Sequence, residues 1–343
     1  MSDQKTPEVA DAQAVVVGID GSDSSNNALS WAIEYAQATD RSIRLVGAYT
    51  VPSVAAASID VSYVPIDDSA VRAAVTDTLK EAAGRVKQAG VQVEAVIEIG
   101  DAAGVLVEES KQATLAVVGT RGRGGFAGRL LGSVPSALPA HAKCPTVVIP
   151  TAFSTDSKRE AQPTASRPIR NAAGDDFSVR AAGDIDLPVE DAAGLDFGGS
   201  VVVGIDALGK ESPALWAAAE YAVTRGLPLH ILGVITTTVV GPEWLPSTTD
   251  LSEFVGKGSD KLKLAQAAVN EKYADLKVDW TLFDGQPSEV LVRASDTADL
   301  LVLGSRGRGG FAGLLLGSTS QSVLPYAKCP TMVVRVAGEK LFK

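Results

Sequence analysis

LAVVGTRGRGGFAGRLLGS, residues 115–133, opens on an apolar run, passes through six glycines and stops at Gly-Ser. So many glycines can hold neither a strand nor a helix, so the middle of the stretch is a loop. The apolar run before it reads as a strand buried on both faces, residues 115–119. A short helix follows from Gly132. A near copy, LLVLGSRGRGGFAGLLLGS, occupies residues 300–318. The pattern is therefore strand, glycine loop and helix, written twice.

Other segments repeat in step with it. AVVVGID at residues 14–20 returns as SVVVGID at 200–206, and Glu34-Tyr35-Ala36 returns as Glu220-Tyr221-Ala222. The glycine stretches and the two KCPT tetrapeptides, 143–146 and 328–331, match at an offset one residue smaller, as a single small deletion would produce. A period of about half the chain is far too long for a solenoid and marks two homologous domains.

Within the first copy the periodicity predicts strands at 14–20, 43–49, 91–99, 115–119 and 145–149. Helices are predicted at 24–39, 69–89 and 102–113, besides the one from Gly132. Strands alternating with helices imply a parallel sheet covered on both faces. The expected fold is α/β: two homologous doubly wound domains, each a five-stranded parallel sheet flanked by helices. The expected boundaries are a polar tail at 1–13, domain 1 at 14–150, a linker at 151–199, domain 2 at 200–338 and a tail at 339–343. The linker is rich in Ala, Gly, Asp and Pro, and reads as extended or partly ordered. Phe177, Val179, Ile185 and Leu187 could pin parts of it to a domain surface.

With 343 residues the chain has ample length for two cores. No apolar run approaches the roughly 20 residues needed to cross a bilayer. The polar, acidic start lacks the features of a secretory signal, which leads us to expect a cytoplasmic protein with no membrane partner. The net charge of -10 argues against an extended nucleic-acid surface. Cys144 and Cys329 read as small buried residues before inner strands, although a disulfide between them is possible on paper. With only His141 and His230 as histidines, and no ligand spacing, a zinc site is not expected.

In an open α/β sheet, ligands bind beyond the carboxyl ends of the strands, where strand order reverses. Asp20 and Asp206 arrive at that edge, and so do the loops opened by Gly119 and Gly304. Glycines let backbone N–H groups curl around an anion, and the helix after the loop points its free N–H groups to the same place. The spacing Gly119, Gly122, Gly132-Ser133, repeated as Gly304, Gly307, Gly317-Ser318, therefore suits a phosphate cradle. The alternative is a tight structural turn before a capped helix. Ser133 and Ser318 either cap those helices or donate a hydroxyl to a phosphate. Arg121, Arg123, Arg306 and Arg308 either add charge to the cradle or face solvent or the other domain. No GxxxxGK[ST] string occurs. The GxGxxA match at Gly122, Gly124 and Ala127 follows the fourth strand rather than the first, where the dinucleotide fingerprint belongs.

These residues resemble the universal stress protein family in its tandem form, across both halves. The resemblance implies ATP binding, with or without Mg2+, by the subclass that keeps the glycine motif. Its implied site in domain 1 comprises Gly18, Asp20, Ala48, Gly119, Thr120, Arg121, Gly122, Arg123, Gly124, Gly125, Gly132, Ser133 and Val134. In domain 2 it comprises Gly204, Asp206, Val234, Gly304, Ser305, Arg306, Gly307, Arg308, Gly309, Gly310, Gly317, Ser318 and Thr319. By this likeness Asp20 and Asp206 approach the ribose, Ala48 and Val234 the adenine, and the loops the phosphates. A regulatory role in stress adaptation or growth control is implied, as is pairing of the last strands, 145–149 with 330–336, within one chain. A further homodimer stays open, and no downstream protein partner is indicated.

After Asp20 the first copy reads Gly-Ser-Asp-Ser-Ser; after Asp206 the second reads Ala-Leu-Gly-Lys-Glu, which points to unequal pockets. Phosphoryl transfer would need a base and metal-binding carboxylates beside the γ-phosphate. The motif supplies neither, so binding is favoured over catalysis. A slow ATPase or a protein that phosphorylates itself on Ser133 or Ser318 is the alternative, followed by a scaffold that binds no nucleotide.

Overall fold

The computed structural model describes residues 14–51, 68–122, 131–153, 196–205, 211–236, 248–305 and 316–335. The chain divides into two compact units, Met1–Thr151 and Ala152–Lys343. Phe177, Val179, Ile185 and Leu187 lie outside the described residues.

The first unit runs β1 (Val15–Gly18), α1 (Asp23–Thr39), β2 (Ile43–Tyr49), α2 (Ser69–Gln88), β3 (Val93–Ile99), α3 (Ala102–Glu109), β4 (Leu115–Gly119), α4 (Ser133–His141) and β5 (Thr146–Ile149). Its sheet has the order β3-β2-β1-β4-β5. Every neighbouring pair is parallel, with Val15 opposite both Ile43 and Leu115. The second unit repeats the plan with β6 (Val201–Gly204), α5 (Pro213–Arg225), β7 (Leu229–Ile235), α6 (Thr248–Lys272), β8 (Val278–Asp284), α7 (Pro287–Ala294), β9 (Leu300–Gly304), α8 (Ser318–Val323) and β10 (Thr331–Val334). Its sheet has the order β10-β9-β6-β7-β8, again parallel throughout. The doubly wound α/β fold expected from the repeat is thus the observed one.

The apolar runs form the central strands because helices cover both of their faces. Val15, Val16 and Val17 are buried, and so are Ala28, Leu29, Trp31, Ala32 and Ala36 on α1. Edge strand β3 is only partly covered, and its two glutamates, Glu94 and Glu98, are exposed on it. The order reversal falls at β1, which has β2 on one side and β4 on the other. The loops after β1 and β4 therefore leave the sheet in opposite directions and open a crevice between them.

Several boundaries differ from the sequence expectation. Strand β1 stops at Gly18, two residues short of Asp20, and β3 starts at Val93 rather than 91. Helix α3 ends at Glu109 and tightens into a 3-10 turn over Ser110–Gln112 instead of continuing to 113. Helix α5 starts at Pro213, aligned with Asn27, so it lacks the first turn of α1. Ser212 precedes it, and Pro213 at the helix start loses no hydrogen bond that the helix would have made. At the end of the expected linker, Phe197 is buried in the second unit's core, and its N–H donates to Thr297 Oγ1 at 2.9 Å. Cys144 and Cys329 are free thiols, both buried.

Candidate functional site

The site of the first unit is built where β1 and β4 end. Beyond Gly18 the chain continues through Ile19 and Asp20 into Ser22, the N-cap of α1. The Asp20 carboxylate is held on one oxygen: Oδ1 accepts the Ser22 N–H at 3.0 Å and the Ser22 hydroxyl at 2.6 Å. Its other oxygen faces the glycine loop, since a Cβ on Gly122 would collide with Oδ2.

Strand β4 delivers Gly119 against the start of α1, and the chain then runs out along that helix end. The Arg121 N–H donates to Ser24 Oγ at 3.3 Å, and Ser22 Oγ lies 3.2 Å from the Arg121 carbonyl. The far side of the loop returns at Gly132, whose N–H donates to the Thr120 carbonyl at 2.9 Å. Helix α4 starts there, and its first two residues, Ser133 and Val134, border the crevice with amides that have no partner one turn back. Gly132 is the N-cap and carries no side-chain bond, while Ser133 is the first helical residue and exposed. Of the two roles weighed for Ser133, capping is therefore not the observed one.

These elements enclose a cavity of about 380 Å³. Of the thirteen residues expected in this site, Gly18, Asp20, Ala48, Gly119, Arg121, Gly122, Gly132, Ser133 and Val134 line it. Thr120 does not line it: the residue is buried and its hydroxyl lies 3.1 Å from Thr151 Oγ1. Arg123, Gly124 and Gly125 lie outside the described residues. The apolar wall of Val46, Ala102, Leu106, Val118 and Pro135, together with Ser25, was not foreseen. Those residues are ordinary core types in sequence, and only the fold shows which of them border the crevice. Next to Ala48, Tyr49 donates to Asp68 Oδ2 at 2.7 Å. That hydrogen bond raises the phenol above its ordinary pKa, because it favours the protonated form.

The second unit brings the equivalent described residues to the same edge. Gly204 ends β6, Val234 lies near the end of β7, and Gly304 ends β9. The Gly317 N–H donates to the Ser305 carbonyl at 2.6 Å, matching the bond from Gly132 to Thr120. Ser318 and Thr319 open α8 after the N-cap Gly317, so Ser318 is not the cap either. Ser320 donates to the Gly304 carbonyl at 2.6 Å, at the position where the first copy has Pro135. Asp206, Arg306, Gly307, Arg308, Gly309 and Gly310 lie outside the described residues.

Among the described residues no three His, Cys, Asp or Glu side chains gather as a metal site, and no helix is long and apolar enough to cross a membrane. The geometry is that of a crevice with an apolar wall, one anchored carboxylate and a rim of backbone amides at a helix start. Such a crevice suits a small molecule with an apolar face and an anionic tail.

The sequence model described as the Universal stress protein family matches the chain twice, over residues 12–150 and 199–335. The chain belongs to the universal stress protein family. It is of the tandem type, with one family unit in each half. Universal stress protein Rv2623 of Mycobacterium tuberculosis is 31% identical over 330 residues, covering 94% of this chain and 96% of its own. A crystal structure of a universal stress protein from Archaeoglobus fulgidus shares the fold at a TM-score of 0.58 and 21% identity, covering 94% of this chain and 96% of its own. A universal stress protein solved in complex with cAMP is 35% identical, spanning 41% of this chain and 98% of its own, at a TM-score of 0.33.

Proposed function

We propose that this tandem universal stress protein is a cytoplasmic, nucleotide-responsive regulator of stress adaptation or growth control that binds ATP, alone or with Mg2+, at one site per domain. The observation that carries this reading is the cavity at the ends of β1 and β4, where Gly119, Gly122 and the start of α4 meet Asp20 and Ala48. Its volume lies within the range of small-molecule sites. Its wall near Ala48 and Val46 offers apolar surface to a base. The amides of Ser133 and Val134, at the positive end of α4, are the groups offered to the phosphates of such a ligand. Arg121 lines the same cavity and supplies the one cationic side chain among its described residues.

Binding rather than turnover follows from the same residues. Asp20 is the only carboxylate among the described lining residues, and it is engaged by Ser22. No histidine is among them to orient a water. Ser133 is exposed on the rim, which is the observation favouring self-phosphorylation as the second reading.

The deciding experiment denatures the pure protein, identifies any nucleotide released and measures its stoichiometry. The expected result is adenine nucleotide, up to two per chain, with ATP also raising the melting temperature. At a concentration one hundred times Kd the stabilisation would be about 2.7 kcal/mol. The absence of both released nucleotide and a thermal shift with ATP would overturn the reading. Label from γ-labelled ATP retained by the protein, and lost in Ser133→Ala, would move the assignment to self-phosphorylation.

A further inference from the structure

The first turn of α1 and its N-cap grip the glycine loop by the main-chain N–H and carbonyl of one residue, Arg121. Ser24 Oγ accepts the Arg121 N–H at 3.3 Å, while Ser22 Oγ lies 3.2 Å from the Arg121 carbonyl. Ser24 is only 2% exposed, so its contact is made out of water. Ser22 has a single proton, shared between Asp20 Oδ1 and the Arg121 carbonyl, so one hydroxyl ties the end of β1 to the loop after β4. Arg121, held on both sides, leads directly into Gly122, which lines the cavity.

The second copy lacks these two serines in its sequence. The positions aligned with Ser22 and Ser24 are Leu208 and Lys210, neither of which has a hydroxyl, and α5 begins only at the position aligned with Asn27. From this difference we infer that Ser22 and Ser24 are positioning residues that set the first glycine loop before a ligand arrives, and that the two nucleotide sites are unequal, the first binding more tightly. The inference rests on the ATP reading above and adds to it an order of filling. A loop already fixed by its own chain loses less conformational freedom on binding, and that saving reaches the ligand as affinity.

The test uses the full chain and amide signals read residue by residue. Without nucleotide, Ser24→Ala raises hydrogen exchange at the Arg121 amide about tenfold, because its acceptor is gone. With ATP titrated in, the amides of Gly132 and Val134 report the first site and those of Gly317 and Thr319 the second. In the unaltered protein the first pair saturates at the lower ATP concentration. In Ser22→Gly combined with Ser24→Ala, half-saturation of the first pair rises about tenfold and that of the second stays where it was. Glycine is nearly as good an N-cap as serine, so this variant keeps α1 while removing the grip. Ser22→Thr, which restores a capping hydroxyl, recovers the first site when Ser24 is kept.

Equal half-saturation at the two sites, or a first site indifferent to the double variant, overturns the inference and leaves ATP binding standing. Unchanged Arg121 exchange in Ser24→Ala overturns it without reference to nucleotide. If ATP moves neither pair of amides, the ATP reading falls and this inference with it.

Discussion

The Cα of Gly119 stands against the backbone of Ser24: a Cβ there would lie 2.6 Å from the Ser24 carbonyl carbon and from its oxygen. Backbone cannot swing aside as a side chain can, so the glycine is required by the packing of β4 against the start of α1. Gly119→Ala forces these elements apart at a cost of about 1–3 kcal/mol. Thermal unfolding should show the first domain melting several degrees lower, with or without ATP. An unshifted midpoint would mean that α1 and β4 do not pack as closely as described.

Gly122 presents the opposite case. Its Cβ would meet Asp20 Oδ2, the tip of an exposed side chain that can rotate away. Gly122→Ala should therefore leave the midpoint of the free protein within about 0.5 kcal/mol of its original stability, in the range of surface changes. It should nevertheless cut the stabilisation produced by ATP, since the carboxylate is displaced and the loop amides are crowded. Comparing thermal shifts of the two glycine variants separates a glycine needed by the fold from one needed by the site. A full ATP shift in Gly122→Ala would remove this residue from the site.

Those two glycines look alike in the sequence, and the difference between them marks the limit of what periodicity reveals. Repeated apolar runs broken by helical spacing were enough for the sheet, its parallel sense and the crevice. The alternation carries that information locally. Which residues meet across the crevice depends on pairs far apart in the chain. Ser24 and Arg121 are in contact although 97 residues separate them, and Thr120 is drawn to Thr151 rather than to the cavity. The end of α1 at Thr39 is where the helical spacing put it, and its cap, Asp40, lies in the left-handed region at φ 51°. Gly226 caps α5 in the same conformation, at φ 63°.

Phe197 lies in the stretch expected as linker, and its burial was not legible in the sequence. A single aromatic in an Ala- and Gly-rich stretch has no periodicity, yet it is 5% exposed and packs with Val202, Leu232 and Phe283. Its ring also meets His230 edge-on at 4.9 Å between centroids. Phe197→Ala leaves a cavity in that core and should destabilise the second domain by about 3–5 kcal/mol. Chemical denaturation followed by tryptophan fluorescence in a Trp31→Phe background, where the remaining tryptophans all lie in the second half of the chain, would measure it. A change below about 1 kcal/mol would mean that Phe197 does not pack into that core as described.

Cys144 supplies the pH prediction. Burial beside β5 pushes its thiol up to about 12, because the thiolate cannot be solvated there. In the unfolded chain the same thiol titrates near 8.5. Between those values the folded state holds a proton that the unfolded state has lost, so unfolding becomes easier as pH rises. The contribution of this thiol is complete below about pH 8.5 and disappears as pH climbs toward 12. At pH 8 neither Cys144 nor Cys329 should react with a thiol reagent in the folded protein, since both are buried. Both should react once denaturant is added. Replacing Cys144 with alanine should flatten the loss of stability above pH 9, even though it also removes some packing. Rapid labelling of Cys144 in the folded protein at pH 8 would show that the thiol is reached by solvent, and the alkaline dependence would then need another group.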